Sequence, residues 1–195
     1  LLLDSSHHLC DYVALKWGTS PCFSLKSDAT SLYSFAKDPF VGPAAGWPIH
    51  TSVSDSLQII QNVLAKDESY AITLVEEDQA IGSIGLMIGK DANLALPENE
   101  AEVGYWIGVP YWGQGLVSEA LKEIMQHAFV DLKMQSLWCG YYEGNIKSKR
   151  VQEKCGFVYH HTKEEVNCSL LHEIRKEHVS CITKEQWENN QDMIA

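Results

Sequence analysis

The chain has 195 residues, 45% hydrophobic and 21% charged, with a formal net charge of −11. That length suits one domain, 1–195, with a substantial core, and argues against two. The acidity excludes nucleic acid as a broad partner, since phosphate binding needs a basic face, and suits a cationic substrate through long-range attraction. Its apolar runs are broken within about 10 residues, short of the ~20 that span a bilayer, so no membrane association is expected. No basic stretch followed by an apolar one opens the chain, so the expected location is cytoplasmic. Six cysteines (Cys10, Cys22, Cys139, Cys155, Cys168, Cys181) form no C-x-x-C pair and no zinc spacing. They read as free thiols with no metal site.

Residues 1–26 are irregular, and either 11–17 or 22–26 fits a first strand. From Ser27 a helix is predicted, with Ala29, Leu32, Phe35 and Ala36 on one face, Ser27 as cap and Pro39 as stop. A Gly/Pro-rich loop carrying Trp47 follows. A second helix begins near Ser54, with Asp55 and Gln58 at capping-box spacing. Residues 69–77 alternate as a half-buried strand, 77–79 turn the chain, and 80–89 return as its partner. A loop spans 90–100 and a strand 101–109. From Leu116 the apolar positions 116, 117, 120, 121, 124, 125, 128 and 129 make a wide helical face suited to a sheet. Residues 136–142 read as a strand, 145–155 as a helix stopped by Gly156, and 157–162 as a strand. The polar stretch 163–178 is ambiguous. Residues 178–182 fit a last strand, with Thr183 and Gln186 capping a terminal turn.

The chemistry concentrates where the strand 101–109 meets the helix from Leu116. Gly113 and Gly115 let the backbone approach a ligand, and the unpaired N–H groups and dipole of the helix start favour an anion. No Lys-Ser/Thr follows, so this is not a P-loop. Residues 113–118 nearly fit G-x-G-x-x-G, with Glu143 ending the next strand, but Ser118 stands at the third small position and two helices and a hairpin precede the motif. By itself the loop also fits a plain tight turn.

The downstream block Asn145–Phe157, N-I-K-S-K-R-V-Q-E-K-C-G-F, taken with Y-W-G-Q-G and A-E-V-G-Y-W-I-G-V-P, resembles the GNAT acetyltransferases, and within them the RimJ/RimL type. The resemblance runs over about 27–187 and implies an α/β (α+β) GNAT fold. That is a mixed, mostly antiparallel sheet splayed after the fourth strand, with helices on both faces and a cofactor core at about 101–162. It further implies N-acetylation from acetyl-CoA, without a metal or covalent enzyme intermediate. The implied acceptor is a protein N-terminal α-amine, with a polyamine or an aminoglycoside-like base as the alternative. A non-catalytic acyl-CoA sensor is the rival of another class, and a homodimer is the expected assembly if the chain self-associates.

The resemblance gives Trp112, Gly113, Gln114, Gly115, Leu116 and Val117 to the pyrophosphate. Pro110 and Trp112 stand where the superfamily's basic loop residues lie, so backbone N–H groups must carry that contact. Trp106, Ile107 and Gly108 are placed beside the pantetheine arm, with a backbone N–H there polarising the thioester carbonyl. Asn145 is expected to bond the pantetheine region as well as cap its helix, and Ser148 to lie near the sulfur as a proton donor. Lys147, Arg150 and Lys154 share a face that could approach the 3′-phosphate. Glu102 matches the superfamily's catalytic glutamate and is the expected general base, with Glu100 as substitute. Trp47, Tyr105 and Tyr141 are candidates for the acceptor pocket.

Overall fold

The computed structural model describes residues 13–16, 27–64, 66–75 and 79–192. In chain order these form strand β1 (Val13–Lys16), helices α1 (Ser27–Ala36), α2 (Gly42–Ala45) and α3 (Val53–Ile59), and strands β2 (Ser69–Leu74), β3 (Ala80–Ile88) and β4 (Glu100–Ile107). Helix α4 (Leu116–Gln126), strand β5 (Ser136–Tyr142) and helix α5 (Ile146–Lys154) follow, then strands β6 (Val158–Cys168) and β7 (Glu173–Thr183) and helix α6 (Lys184–Asp192). The strands make one seven-stranded sheet in the order β1-β2-β3-β4-β5-β7-β6. Every pair is antiparallel except β4 with β5.

Local sequence explains most boundaries and corrects several expectations. Of the two candidate first strands, β1 falls within 11–17, whereas 22–26 lies outside the described residues. The Gly/Pro-rich loop contains α2: Pro43 presets the first turn, and Gly46 closes it in the left-handed region at φ 89°. Helix α3 starts at a Ser52 cap. The Ser52 hydroxyl accepts the Asp55 N–H while the Asp55 carboxylate accepts the Ser52 N–H. Asp55 is therefore the far half of the capping box, and Gln58 plays no part in it. The polar stretch 163–178 belongs to the β6–β7 hairpin. Strand β6 is the sheet's edge and is exposed over much of its length, so no buried face imposes alternation on its sequence. Thr183 and Gln186 do exchange capping bonds, of 2.9 and 3.2 Å, and open α6.

Two cores flank the sheet, as alternation along β4 requires. Ala101, Val103 and Ile107 join the cluster under α4 with Leu121, Ile124 and Phe129. Trp106 joins the opposite cluster with Leu32, Trp47 and Ile60. Among the described residues no helix is long and apolar enough to cross a membrane.

The feature that shapes the functional region is the short β4–β5 ladder. The strands pair only over Glu100–Glu102 with Ser136–Trp138. Beyond that they diverge, β4 held by β3 and β5 by β7. The sheet thus opens after its fourth strand.

Leu121 is fully buried between α4 and this sheet. Leu121→Ala should cost roughly 2–5 kcal/mol through lost transfer energy and a residual cavity. A denaturant titration checks the value.

Candidate active site

The opening between β4 and β5 leads into a cleft of about 1060 Å³. Its residues are best taken from one end to the other.

At one end the chain leaves β4 through a single 3-10 turn and enters α4 across Gly113 and Gly115, at φ 76° and 85°. A Cβ built on either glycine meets nothing within 4 Å, so crowding inside the protein is not why glycine stands there. The left-handed backbone is the reason. It brings the N–H groups at the start of α4 to the cleft. No side chain caps the helix, and the N–H groups of residues 113–118 have no acceptor among the described residues. The Leu116 and Val117 side chains enter the core, so these two residues offer the cleft only their backbone. Gln114 folds back to donate to the Pro110 carbonyl at 2.9 Å. Trp112 donates its indole N–H to the Ile107 carbonyl at 3.0 Å, tying the loop to the end of β4. Lys147, from α5, places its ammonium 3.8 Å from the centre of that indole. A cation thus reaches a loop whose own sequence has no basic residue.

Along the cleft wall, the expected carbonyl-polarising segment is narrowed by hydrogen bonding. The Gly108 N–H donates to Ile81 at 2.9 Å. Antiparallel strands alternate the direction of successive N–H groups, so Trp106 also turns toward β3. Of the expected trio only Ile107 directs its N–H to the opening, as does Tyr105 two residues earlier. The Trp106 indole instead packs edge-on to Trp47, and its N–H has no hydrogen-bond partner among the described residues.

Facing β4, helix α5 carries the second cluster. Asn145 caps it, its Oδ1 accepting the Ser148 N–H at 3.2 Å. That leaves the amide nitrogen of Asn145 without a partner among the described residues. Ser148 is 9% exposed, and its hydroxyl lies 2.8 Å from the Tyr105 hydroxyl and 3.3 Å from Gln152 Nε2. Burial, reinforced by nearby Cys139, pushes the Tyr105 phenol well above its ordinary pKa, so it keeps its proton. Cys139, also on the cleft, is buried beside Glu102, and both influences push its thiol up. A thiol so held is a poor nucleophile. Tyr105 therefore serves the Ser148 cluster, whereas the sequence assigned it to the acceptor pocket. Lys147, Arg150 and Lys154 all reach the cleft rim.

At the other end lies Glu102, 5% exposed. Its carboxylate accepts the backbone N–H groups of Asn93 (2.7 Å) and Leu94 (3.1 Å) and the Asn93 side-chain amide (3.3 Å). Three donors fix it and leave about one of its roughly four lone-pair directions for another proton donor. Glu100 is spent differently: it accepts the Trp138 indole N–H and does not line the cleft. Trp47 is almost fully buried, stacked 4.7 Å from His50, so it is chiefly a core residue with one edge on the cleft. Tyr141 stacks on His178, which pairs with Glu143.

The sequence reading missed Asn93 and Leu94, which sit in a loop with no local signal for clamping a carboxylate nine residues away. It also missed Gln152, a polar residue that only the fold buries.

A family model described as an acetyltransferase (GNAT) domain matches residues 23–158, most of the chain. The chain belongs to the GNAT acetyltransferase family. It is 33% identical over 99 residues to "Probable N-acetyltransferase YjcK" of Bacillus subtilis (strain 168), covering 50% of this chain and 52% of that protein. It is 29% identical over 117 residues to the ribosomal-protein-serine acetyltransferase of Escherichia coli (strain K12), covering 57% and 62%. The chain thus spans about half to three-fifths of the length of these curated relatives. Among solved structures it is similar to a GNAT-family acetyltransferase from Bacillus anthracis, at TM-score 0.73 and 18% identity over 90% of this chain and 96% of that one. It is also similar to the microcin C7 self-immunity acetyltransferase MccE in complex with acetyl-CoA and AMP, at TM-score 0.65 and 21% identity over 89% and 93%. At these identities the structural likeness bears on the fold.

If the loop amides bind the cofactor's diphosphate, Gly113→Val and Gly115→Val should each weaken acetyl-CoA binding at least tenfold. The cause would be a side chain in the anion's place plus a backbone that disfavours the left-handed region. Calorimetric titration of the folded variants measures it, and unchanged affinity would return the loop to a plain turn.

Proposed function

We propose that this protein transfers the acetyl group of acetyl-CoA to a primary amine, with the N-terminal α-amine of a protein or peptide as acceptor. One observation carries the reading. A single cleft joins an uncapped glycine loop suited to a diphosphate, a serine–tyrosine hydroxyl pair, and a buried, clamped carboxylate. An α-amine with pKa of about 7.7–8.0 is partly neutral at physiological pH, so its activation asks little of a base. The ribosomal-protein-serine acetyltransferase among the relatives acts on a protein, which favours this acceptor. The carboxylates Glu102, Glu143 and Glu177 on the cleft walls give a small polyamine as the second reading.

When bound, acetyl-CoA supplies an activated acyl group on a good leaving thiolate. Residues 113–117 and Lys147 hold the diphosphate, and Asn145 Nδ2 bonds the pantetheine arm. The Ile107 N–H meets the thioester oxygen and stabilises the charge that develops there. Glu102 takes the amine's proton, directly or through one water. Ser148, steadied by Tyr105 and Gln152, gives a proton to the departing sulfur and regains one from solvent as Glu102 sheds the amine's proton there, while the Tyr105 phenol, which burial keeps protonated, donates a hydrogen bond to the Ser148 oxygen. The amine attacks directly, since the nearby Cys139 is held as an unreactive thiol.

Thiol release measured with serine-initiated peptides and with spermidine tests the activity and ranks the two acceptors. Glu102→Gln should lower turnover at pH 7 by roughly 100-fold or more, part of it recovered at higher pH where more amine is neutral. Acetyl-CoA affinity should hold. Full activity at neutral pH would mean that another group takes the proton. Ser148→Ala should lower kcat about 10–100-fold with little change in either KM, the signature of a contact made in the transition state. Tyr105→Phe should have a smaller effect of the same kind. A kinetically silent Ser148→Ala moves the sulfur's proton source elsewhere.

A further inference from the structure

Glu177 is a carboxylate that the fold exposes to the cleft and leaves unused. It lies on β7 opposite Tyr142 of β5, two residues from the pair Gly140 and Val179. Residues 138, 140 and 142 share one face of β5, and Trp138 is the register partner of Glu102 on β4. Glu177 therefore stands on the same face of the sheet as Glu102, across the opening from it. Its side chain runs back along β5 over Gly140, so closely that a Cβ there would fall inside the carboxylate. A residue other than glycine at this point would push Glu177 off the strand. Both carboxylates line the one cleft.

The surroundings withhold a partner. Glu177 is half-buried and makes no side-chain hydrogen bond or ion pair among the described residues. Its register partner on β6, Lys163, acts on it only through space. Arg175 is committed to Glu173, the Pro43 carbonyl and the Tyr142 ring, and Lys176 to Glu164. From β5, Tyr142 shares its face and Cys139 lies within electrostatic reach on the other, neither of them cationic, and from β4 comes the charge of Glu102. Burial first, and Glu102 second, raise its pKa. Two carboxylates on one cleft, neither ion-paired among the described residues, work against the empty protein, and a bound ammonium would relieve both.

We infer that Glu177 is an ammonium-binding residue of the acceptor site, which with Glu102 selects amines that arrive protonated. This rests on the acetyltransferase reading and adds a division of labour: Glu177 captures the charged amine, and Glu102 then takes its proton. Glycine at 140 serves this site by letting the carboxylate lie across β5.

The test reads amine binding apart from turnover. With coenzyme A present, n-propylammonium and spermidine are titrated against protein carrying 13C-labelled glutamate carboxyls. Both probes should lower the Glu177 titration midpoint, and n-propanol should not. Glu177→Gln should weaken amine binding by roughly 10–100-fold, the scale of a lost charge-assisted contact. It should leave acetyl-CoA affinity by calorimetry unchanged. Gly140→Ala should weaken the amine in the wild-type background and have no further effect beside Glu177→Gln. The folded-state pKa is raised, so ionisation of Glu177 works against folding as pH rises through it, and Glu177→Gln should keep or raise Tm at neutral pH. Where an amine is turned over, the loss should fall on its KM more than on kcat. Equal amine affinity in wild type and Glu177→Gln overturns the inference, as does a fall in Tm with unchanged amine binding. Failure to bind acetyl-CoA is a separate outcome, read in its own titration, and would overturn the acetyltransferase reading itself.

Discussion

Everything functional in this molecule depends on β4 and β5 parting after three residue pairs. A continuous sheet would consume the N–H and C=O groups of residues 103–107 in a ladder and close the cleft. The divergence is sustained because each strand is secured on its far side, β4 by seven register partners on β3 and β5 by seven on β7. The inner edges can therefore stay open without the sheet unravelling. Unpaired backbone groups inside a protein are costly, and here they become the lining of a binding site, where a ligand can satisfy them.

The two faces of β4 then divide the work. One face, through Val103 and Ile107, holds the strand onto α4, while Tyr105 reaches the α5 hydroxyl cluster. The other carries Glu102 and Trp106, both of which line the cleft. On the proposed mechanism, alternation along eight residues puts leaving-group chemistry and amine chemistry on opposite sides of one strand. The Glu102 carboxylate is held by Asn93 and Leu94, so its position is set by a loop as well as by the strand that bears it.

How far this could be read in advance varies by residue, for physical reasons. The alternation of 101–107, the glycines at 113 and 115 and the Asn145 cap are local signals, written within a few residues of where they act. Glu102 was legible as a candidate through the family resemblance, on the strand that leads into the loop. Its clamp was not, because Asn93 meets it only after the chain doubles back through the β3–β4 connection. Ser52 was displaced in favour of Asp55 because both ends of a capping box are polar and only the backbone tells them apart. The edge strand β6 hid in a polar stretch, since neither of its faces is buried enough to demand a pattern. Glu177 lay inside that same stretch, where a glutamate reads as one more solvated charge. Its significance needs Gly140, which is 37 positions away and meaningful only once β5 and β7 are paired.

The contact between Lys147 and Trp112 has a mechanical consequence. Lys147 is followed immediately in the chain by Ser148, on the first turn of α5, while Trp112 is pinned to the end of β4 through Ile107. The loop and the first turn of α5 are thus in direct contact through this pair. On the proposed mechanism, the diphosphate end and the serine hydroxyl meet on the same first turn of α5. Such a linkage favours a compulsory order of events, in which the nucleotide end must seat before the serine is aligned and the amine can be used productively.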